Sequence, residues 1–405
     1  MKTTEEIRAL GADGIIAAAE EAGLLEFGVD RVPVVQKWKE AAAERAYQKE
    51  PVRLVAALNN ADMDGALLAV LKEDPQKVFA GMAAAACAVG AEEEVLILPE
   101  WEEAYAGEIR EQAAACGVEV RAEFVNCREF RGGVIHHIET MAALAEILDG
   151  TYTPGTYLAV AKGGKTGAPV KVAYGTKVAE LVGEAPVKAI RIGTKLYDAS
   201  GLDLEIQPET PIGNGVITVF DKKCCMIHET ERILEEEWQH SCGKCTFCRE
   251  GLIQLKTMTK EITMGQGKKE FTDMLTEIGE AMSFSTVCTM GQTASDITLG
   301  SLQYFASEYD AHIRKKKCPA NVCTAFMNIY IDPNACQGCE ECADACPKGA
   351  IEGKAGFIHM IDEFECDKCG KCVAVCENDA IIQTTGRVPK LPTRLTKVGK
   401  FKKKR

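Results

Sequence analysis

The spacing of apolar residues divides the chain into stretches with different periods. Residues 52–58 and 95–98 are short, nearly continuous apolar runs, the pattern of strands buried on both faces. Residues 118–125 form a third candidate strand, and 78–87 and 101–116 carry helical patterns. This alternation predicts an α/β region over residues 1–150 whose sheet has parallel strands. From 151 to 225 the elements shorten. Candidate strands at 157–161, 170–172 and 216–220 are separated by glycine- and proline-rich turns, with a helix at 177–182. A small β-rich domain is expected there. Over 226–325, Ile233, Leu234 and Trp238 recur at helical spacing, as do Met274, Leu275, Ile278 and Met282, which predicts a helical bundle. Residues 326–386 hold two similar halves offset by about 30 residues, an internal repeat. Residues 387–405 form a basic tail.

The cysteines change this picture. Nineteen in 405 residues would suggest disulfides in a small secreted chain. Here the chain is long, residues 1–21 are mixed and charged without an apolar segment, and most cysteines fall into C-x-x-C spacings or stand as their expected partners. A reducing, cytoplasmic compartment with metal-bound thiolates is therefore expected. The most apolar stretch, 81–91, is too short to span a bilayer, so no transmembrane segment is expected. Hydrophobic content of 46% is ordinary for a globular protein, so a core can form without help from metal. A net charge of −13 argues against nucleic acid as a partner. Against that background Arg394, Lys397, Lys400, Lys402, Lys403, Lys404 and Arg405 make the tail basic, either a solvated, mobile segment or an arm for an acidic partner subunit.

The most specific motif is Cys336-x-x-Cys339-x-x-Cys342-x-x-x-Cys346-Pro347, repeated as Cys366-x-x-Cys369-x-x-Cys372-x-x-x-Cys376. A cubane cluster needs four thiolates converging from different sides. One tight loop supplies three, and in bacterial two-cluster ferredoxins the fourth comes from the other half. That pattern places Cys336, Cys339, Cys342 and Cys376 on one [4Fe–4S] cluster, and Cys366, Cys369, Cys372 and Cys346 on another. Gly338, Ala343, Gly349, Gly370 and Ala374 leave room for backbone amides to reach the sulfurs. The run Cys242-x-x-Cys245-x-x-Cys248 has the same spacing without a nearby fourth cysteine. Cys288, at the end of a predicted helical hairpin, is the natural fourth ligand of a third site, which spacing alone leaves open to a cluster or to zinc. Lys244 and Arg249 suit a site of net negative charge.

The 241–251 run followed by Cys288 resembles the iron–sulfur domain of the NADH-binding flavoprotein (51 kDa) subunit of respiratory complex I. Residues 155–220 resemble the β-grasp (SLBB-like) domain of that family, and the N-terminal region resembles its flavin domain. With the appended two-cluster ferredoxin, the resemblance is greatest to the corresponding subunit of NAD-linked or bifurcating [FeFe]-hydrogenases and formate dehydrogenases. The resemblance implies an α/β flavin-domain-like region, a β-grasp domain, a helical [4Fe–4S] bundle and a C-terminal two-cluster ferredoxin domain.

At the flavin site the chain departs from that family. The family binds FMN phosphate with the loop R-G-R-G-G-A-G-F-P, whose glycines free backbone amides to approach the phosphate. Here Pro33, Lys37 and Trp38 remain, but the preceding residues retain only Gly28 and add Glu26 and Asp30. The family's N-A-D-E is Asn60-Ala61-Asp62-Met63, and its G-E-E-T segment has no counterpart between Cys127 and the family-like Ile138-Glu139-Thr140. The expectation is a flavin fold kept as scaffold without FMN or NADH. The segment 163–167 is glycine-rich and basic but lacks P-loop spacing, and reads as a turn.

His312, Cys318 and Cys323 offer an imidazole and two thiolates, which is zinc chemistry. Hydrogenase-type relatives carry a similar H-x5-C-P-A-x-x-C run, which implies a structural zinc with Cys225 as fourth ligand. Cys87, Cys116, Cys127 and Cys224 read as small core residues, and His136 and His137 as structural or surface residues. No catalytic residue is assigned.

The expected function is electron relay through three [4Fe–4S] clusters within a larger oxidoreductase. The expected partner is a catalytic subunit (hydrogenase, formate dehydrogenase or another molybdenum or tungsten enzyme), with a thioredoxin-like [2Fe–2S] subunit or a ferredoxin as a further one. The alternative is an FMN flavoprotein subunit that oxidises NAD(P)H and feeds a hydrogenase or formate dehydrogenase.

Overall fold

The computed structural model describes residues 6–7, 9–45, 52–61, 64–125, 133–385 and 387–401. Asp62, Met63, Cys127 and the last four tail residues, named above, lie outside them. The chain divides into two compact units, Met1–Lys222 with Thr230–Thr257 and Thr272–Ala306, and Lys223–Glu229 with Met258–Phe271 and Ser307–Arg405.

In the first unit, strands β1 (Arg53–Ala57), β2 (Glu93–Leu98), β3 (Val118–Ala122) and β4 (Val134–His137) form a sheet in the order β3-β2-β1-β4, with every pairing parallel. Most of β1 and β2 is buried, which explains why they read as continuous apolar runs rather than alternating ones. The helix Pro75–Val89 starts where Asp74 accepts a hydrogen bond from the Lys77 amide, has proline in its first turn, and stops at Gly90 in the left-handed conformation. Its alanine-rich body lets the helix Ile138–Asp149 approach closely. A Cβ on Gly81 would lie 1.8 Å from the Met141 carbonyl oxygen.

The same unit holds a six-stranded sheet of β5 (Thr156–Lys162), β6 (Lys165–Thr166), β7 (Val170–Val172), β8 (Ala189–Ile192), β9 (Lys195–Asp198) and β10 (Val216–Phe220). β10 is central, parallel to β5 and antiparallel to β8. The glycine-rich segment at 163–164 is the tight turn of the β5–β6 hairpin. Sequence reading did not single out β8 and β9, which are only four residues each. Helices Met226–Gln239, Thr246–Thr263, Phe271–Ser285 and Thr289–Ile313 follow. Met274, expected on the bundle's apolar face, is exposed.

The second unit contains the cysteine repeat, whose halves share several corresponding hydrogen bonds. Asn328–Ile331 pairs with Ile381–Thr384, and Ile351–Glu352 with Met360–Ile361, both antiparallel. The Asp332 amide donates to the Ala380 carbonyl at 2.7 Å, and the Asp362 amide to the Ala350 carbonyl at 2.8 Å, so each half is completed by the other. Up to Phe401 the tail departs from the expectation of a solvated, mobile segment. The Ile358 amide donates to the Thr396 carbonyl, the Val398 amide donates to the Gly356 carbonyl, and Val398 and Phe401 pack on the repeat's apolar core.

Candidate metal centres

Cys242 and Cys245 lie on the loop between two helices, and Cys248 on the first turn of the second. The loop is held by Gly243 at positive φ, by the Gly243 amide donating to Ser241 Oγ at 3.3 Å, and by Arg249 donating to the Gly243 carbonyl at 3.0 Å. Cys288 stands in the link between Phe271–Ser285 and Thr289–Ile313. The fold brings it to the other three. Burial pushes the Cys248 thiol up to about 11, and Cys288, Cys245 and Cys242 add to the rise. Burial likewise raises Cys288, opposed by hydrogen bonds from the Met290 backbone and Asn60, with Cys242 and Cys245 close enough to act on it. Thiols raised in this way ionise readily only beside a compensating charge such as a bound metal cation.

The repeat shows the same convergence. Burial pushes Cys342 up to about 11, with Cys336, Cys339, Cys372 and Cys376 contributing. Cys346, Cys366, Cys369 and Cys372 line one cavity. The Ala350 amide donates to Cys346 Sγ and the Ala380 amide to Cys376 Sγ, each at 3.3 Å, and the Lys368 amide donates to Cys366 Sγ at 3.4 Å.

The last set is the tightest. Ligand atoms of Cys225, His312, Cys318 and Cys323 all lie within 4.8 Å of one another, and all four residues are buried. His312 Nε2 is 3.5 Å from Cys225 Sγ and 3.4 Å from Cys323 Sγ, and the two sulfurs are 3.7 Å apart. His312 Nδ1 donates to the Glu308 carbonyl at 2.8 Å, which aims Nε2 at the thiols. Burial alone would lower the His312 pKa. Hydrogen bonding to Cys225 and Cys318 outweighs it and pushes the imidazole up to about 10. Hydrogen bonding to Cys225, then Cys323, pulls the Cys318 thiol far below the ordinary range.

Among the described residues, Cys87, Cys116 and Cys224 join none of these sets. Cys87 and Cys116 pack against the core but remain half-buried rather than enclosed, as does Cys224. Sequence reading missed the network at the carboxyl end of the parallel sheet. His136 and His137 are core residues, and Glu26 is buried against them. Trp38 Nε1 donates to His136 Nε2 at 2.9 Å, and Lys37 Nζ lies 3.0 Å from Glu26 Oε2. Asn60 is engaged by the backbone, donating to the Val125 carbonyl at 2.9 Å and accepting from its amide at 3.2 Å. The one available signal was a lone acid, Glu26, between Leu24-Leu25 and Phe27.

Two family profiles match the chain. The NADH-ubiquinone oxidoreductase-F iron–sulfur binding region matches residues 228–312, and a 4Fe–4S dicluster domain matches residues 328–377. In these segments the chain is similar to 51 kDa (F-type) subunits of NADH–ubiquinone oxidoreductase and to a hydrogenase subunit. Among curated proteins similar to it, the NADP-reducing hydrogenase subunit HndC of Solidesulfovibrio fructosivorans is 34% identical over 172 residues, 42% of this chain and 35% of that protein. The 51 kDa subunit of the mitochondrial NADH-ubiquinone oxidoreductase of Neurospora crassa is 30% identical over 122 residues, 30% of this chain and 24% of that protein. The match thus spans about a third or less of the length of these relatives. The fold resembles a chain in the crystal structure of an NAD+-reducing [NiFe]-hydrogenase in the air-oxidized state, with a TM-score of 0.65 and 19% identity, covering 78% of this chain and 66% of that one. Among the described residues, no helix is long and apolar enough to cross a membrane.

Proposed function

We propose that the chain is an electron-transfer subunit of a multi-subunit oxidoreductase, relaying single electrons through three [4Fe–4S] clusters without an FMN or NADH site of its own. What supports this reading is that Cys288 acts on Cys248, Cys376 acts on Cys342, and Cys346 lines one cavity with Cys366, Cys369 and Cys372, so that each C-x-x-C-x-x-C run has a distant cysteine beside it and twelve cysteines divide into three proposed sets. The sets are Cys242, Cys245, Cys248 and Cys288; Cys336, Cys339, Cys342 and Cys376; and Cys366, Cys369, Cys372 and Cys346. Bound there, a [4Fe–4S] cluster supplies a one-electron couple whose potential follows its burial, net charge and hydrogen bonds to sulfur. The chain sets those terms by burying Cys248 and Cys342 and by aiming the Ala350 and Ala380 amides at sulfur.

In this reading residues 1–150 are a flavin-type scaffold, 151–225 a β-grasp domain, 226–325 the helical iron–sulfur domain and 326–386 the ferredoxin domain. The buried Cys225–His312–Cys318–Cys323 set holds a structural zinc. A tetrahedron with Zn–S near 2.3 Å and Zn–N near 2.0 Å has S···S edges of about 3.8 Å and S···N edges of about 3.5 Å. The distances above fit that figure. The final electron donor or acceptor is a catalytic subunit of the hydrogenase or formate dehydrogenase type, in the cytoplasm.

The alternative, an NAD(P)H-oxidising flavoprotein, draws on one observation, a cavity of about 380 Å³ beside Cys288. Metal and flavin analysis of the anaerobically purified chain separates the two. The relay reading expects about 12 iron per chain and no extractable flavin. Stoichiometric FMN would end it, as would iron sufficient for only one or two clusters.

A further inference from the structure

The order β3-β2-β1-β4 reverses direction at β1, and open parallel sheets bind ligands outside the carboxyl ends of the strands at such a reversal. The cavity of about 380 Å³ lies there, lined by Ala57 at the end of β1 and Leu58 and Asn59 after it, by Ile135, His136 and His137 of β4, and by Cys288. Its charged wall is Glu26, Asp30, Lys37 and Glu44.

Four donors converge at one side of this crevice on a single anion. Glu26 Oε1 accepts from the His137 amide and the Thr140 hydroxyl, both at 2.7 Å. Glu26 Oε2 accepts from Lys37 Nζ at 3.0 Å and lies 2.5 Å from His136 Nδ1. Because Trp38 donates to His136 Nε2, the imidazole proton sits on Nδ1, and that contact is a donated hydrogen bond. The amide and hydroxyl belong to the start of the 12-residue helix Ile138–Asp149, whose dipole favours negative charge. A cation, an imidazole N–H, a backbone amide and a hydroxyl at a helix N-terminus are the donor set that holds phosphate. His137 also lines the crevice. Its Nδ1 accepts from the Glu139 amide, so Nε2 carries the proton, and Nε2 is buried without a hydrogen-bond partner.

We propose that Glu26 is the built-in anion of this crevice, its carboxylate holding the donors that would otherwise bind a phosphate group, so that the space beside Cys288 is closed to phosphate monoesters. The segment cannot easily swing aside. The Glu26 amide donates to the Val32 carbonyl at 2.7 Å and the Phe27 amide to Thr140 Oγ1 at 3.0 Å. Burial alone would raise the Glu26 pKa, but Lys37, then His136, then Thr140, hold it well below the usual carboxylate range, so it stays an anion. Asp30 and Glu44 on the same wall add to the exclusion of a phosphate.

The inference deepens the relay reading, and the two fail separately. The test is thermal unfolding of the anaerobic, iron-replete full chain against inorganic phosphate, with chloride at matched ionic strength. The wild type is expected to ignore phosphate. Glu26→Ala is expected to unfold at lower temperature in chloride and to recover stability with phosphate, at concentrations at least tenfold below any effect on the wild type. Glu26→Asp withdraws the carboxylate by one methylene while keeping its charge, and serves if the alanine variant does not fold. It is expected to show a smaller phosphate-dependent recovery. An iron-replete variant that responds to phosphate no more than to chloride overturns the proposal, as does a wild type that binds phosphate as tightly as Glu26→Ala. Neither result bears on the clusters. Flavin recovered with the wild type would instead end the relay reading.

Discussion

At the scale of single residues, the buried polar groups carry most of the consequences. Cys318 sits in the most compact ligand set, and its removal leaves three donors where a closed tetrahedral site needs four. Cys318→Ser is expected to lower bound zinc from about one per chain to near zero while iron is retained, and elemental analysis of the purified variant checks both numbers. Zinc held undiminished would remove the assignment. Glu237 gives a pH prediction. Both its carboxylate oxygens are buried without a hydrogen-bond partner. Burial, opposed by Arg191, raises it from 4.5 to about 8. The folded state therefore holds a proton that the unfolded chain releases near 4.5. The resulting stability is complete below that pH and is lost as pH rises toward 8. Glu237→Gln is expected to flatten this decline, a difference on the order of 1–3 kcal/mol at pH 8. Unfolding temperatures at pH 6 and pH 8 test it, and a variant as pH-sensitive as the wild type would show that Glu237 is not the cause.

At the scale of elements, close approach is what the sequence pattern leaves unstated. The helix Pro75–Val89 reads as apolar throughout, but nothing in its periodicity says which residue meets another backbone. Gly81 does, against Met141 of the helix Ile138–Asp149, and a methyl group there has no space. Gly81→Ala is expected to destabilise the first unit by about 1–3 kcal/mol despite alanine's better helix propensity. An unfolding temperature equal to or above the wild type would mean that the helices separate freely. The element pattern itself was legible where strands are long and buried, as in β1 and β2. It failed at β4, β8 and β9, where His136, His137, Arg191, Lys195 and Asp198 interrupt the apolar pattern that would mark a strand.

At the scale of the whole molecule, the tail belongs to the fold at least as far as Phe401. Lys397 pairs with Phe357, and Val398 and Phe401 cover the apolar core of the cysteine repeat. Deleting residues 388–405 is expected to speed iron loss from the repeat under a chelator, while iron at the Cys242–Cys288 set is kept. A rate unchanged from the wild type would return the tail to the role of a solvated arm. The sequence by itself determined the parallel α/β pattern and the C-x-x-C-x-x-C loops, because apolar runs and three-residue spacings act over short stretches of chain. Only the tertiary structure decided that Cys225 reaches His312 and Cys323, that Glu26 is a satisfied buried anion rather than a surface charge, and that His136 and His137 belong to the core. Those outcomes depend on desolvation and on donors far apart in the chain, such as Glu26 and Thr140, which no local pattern records.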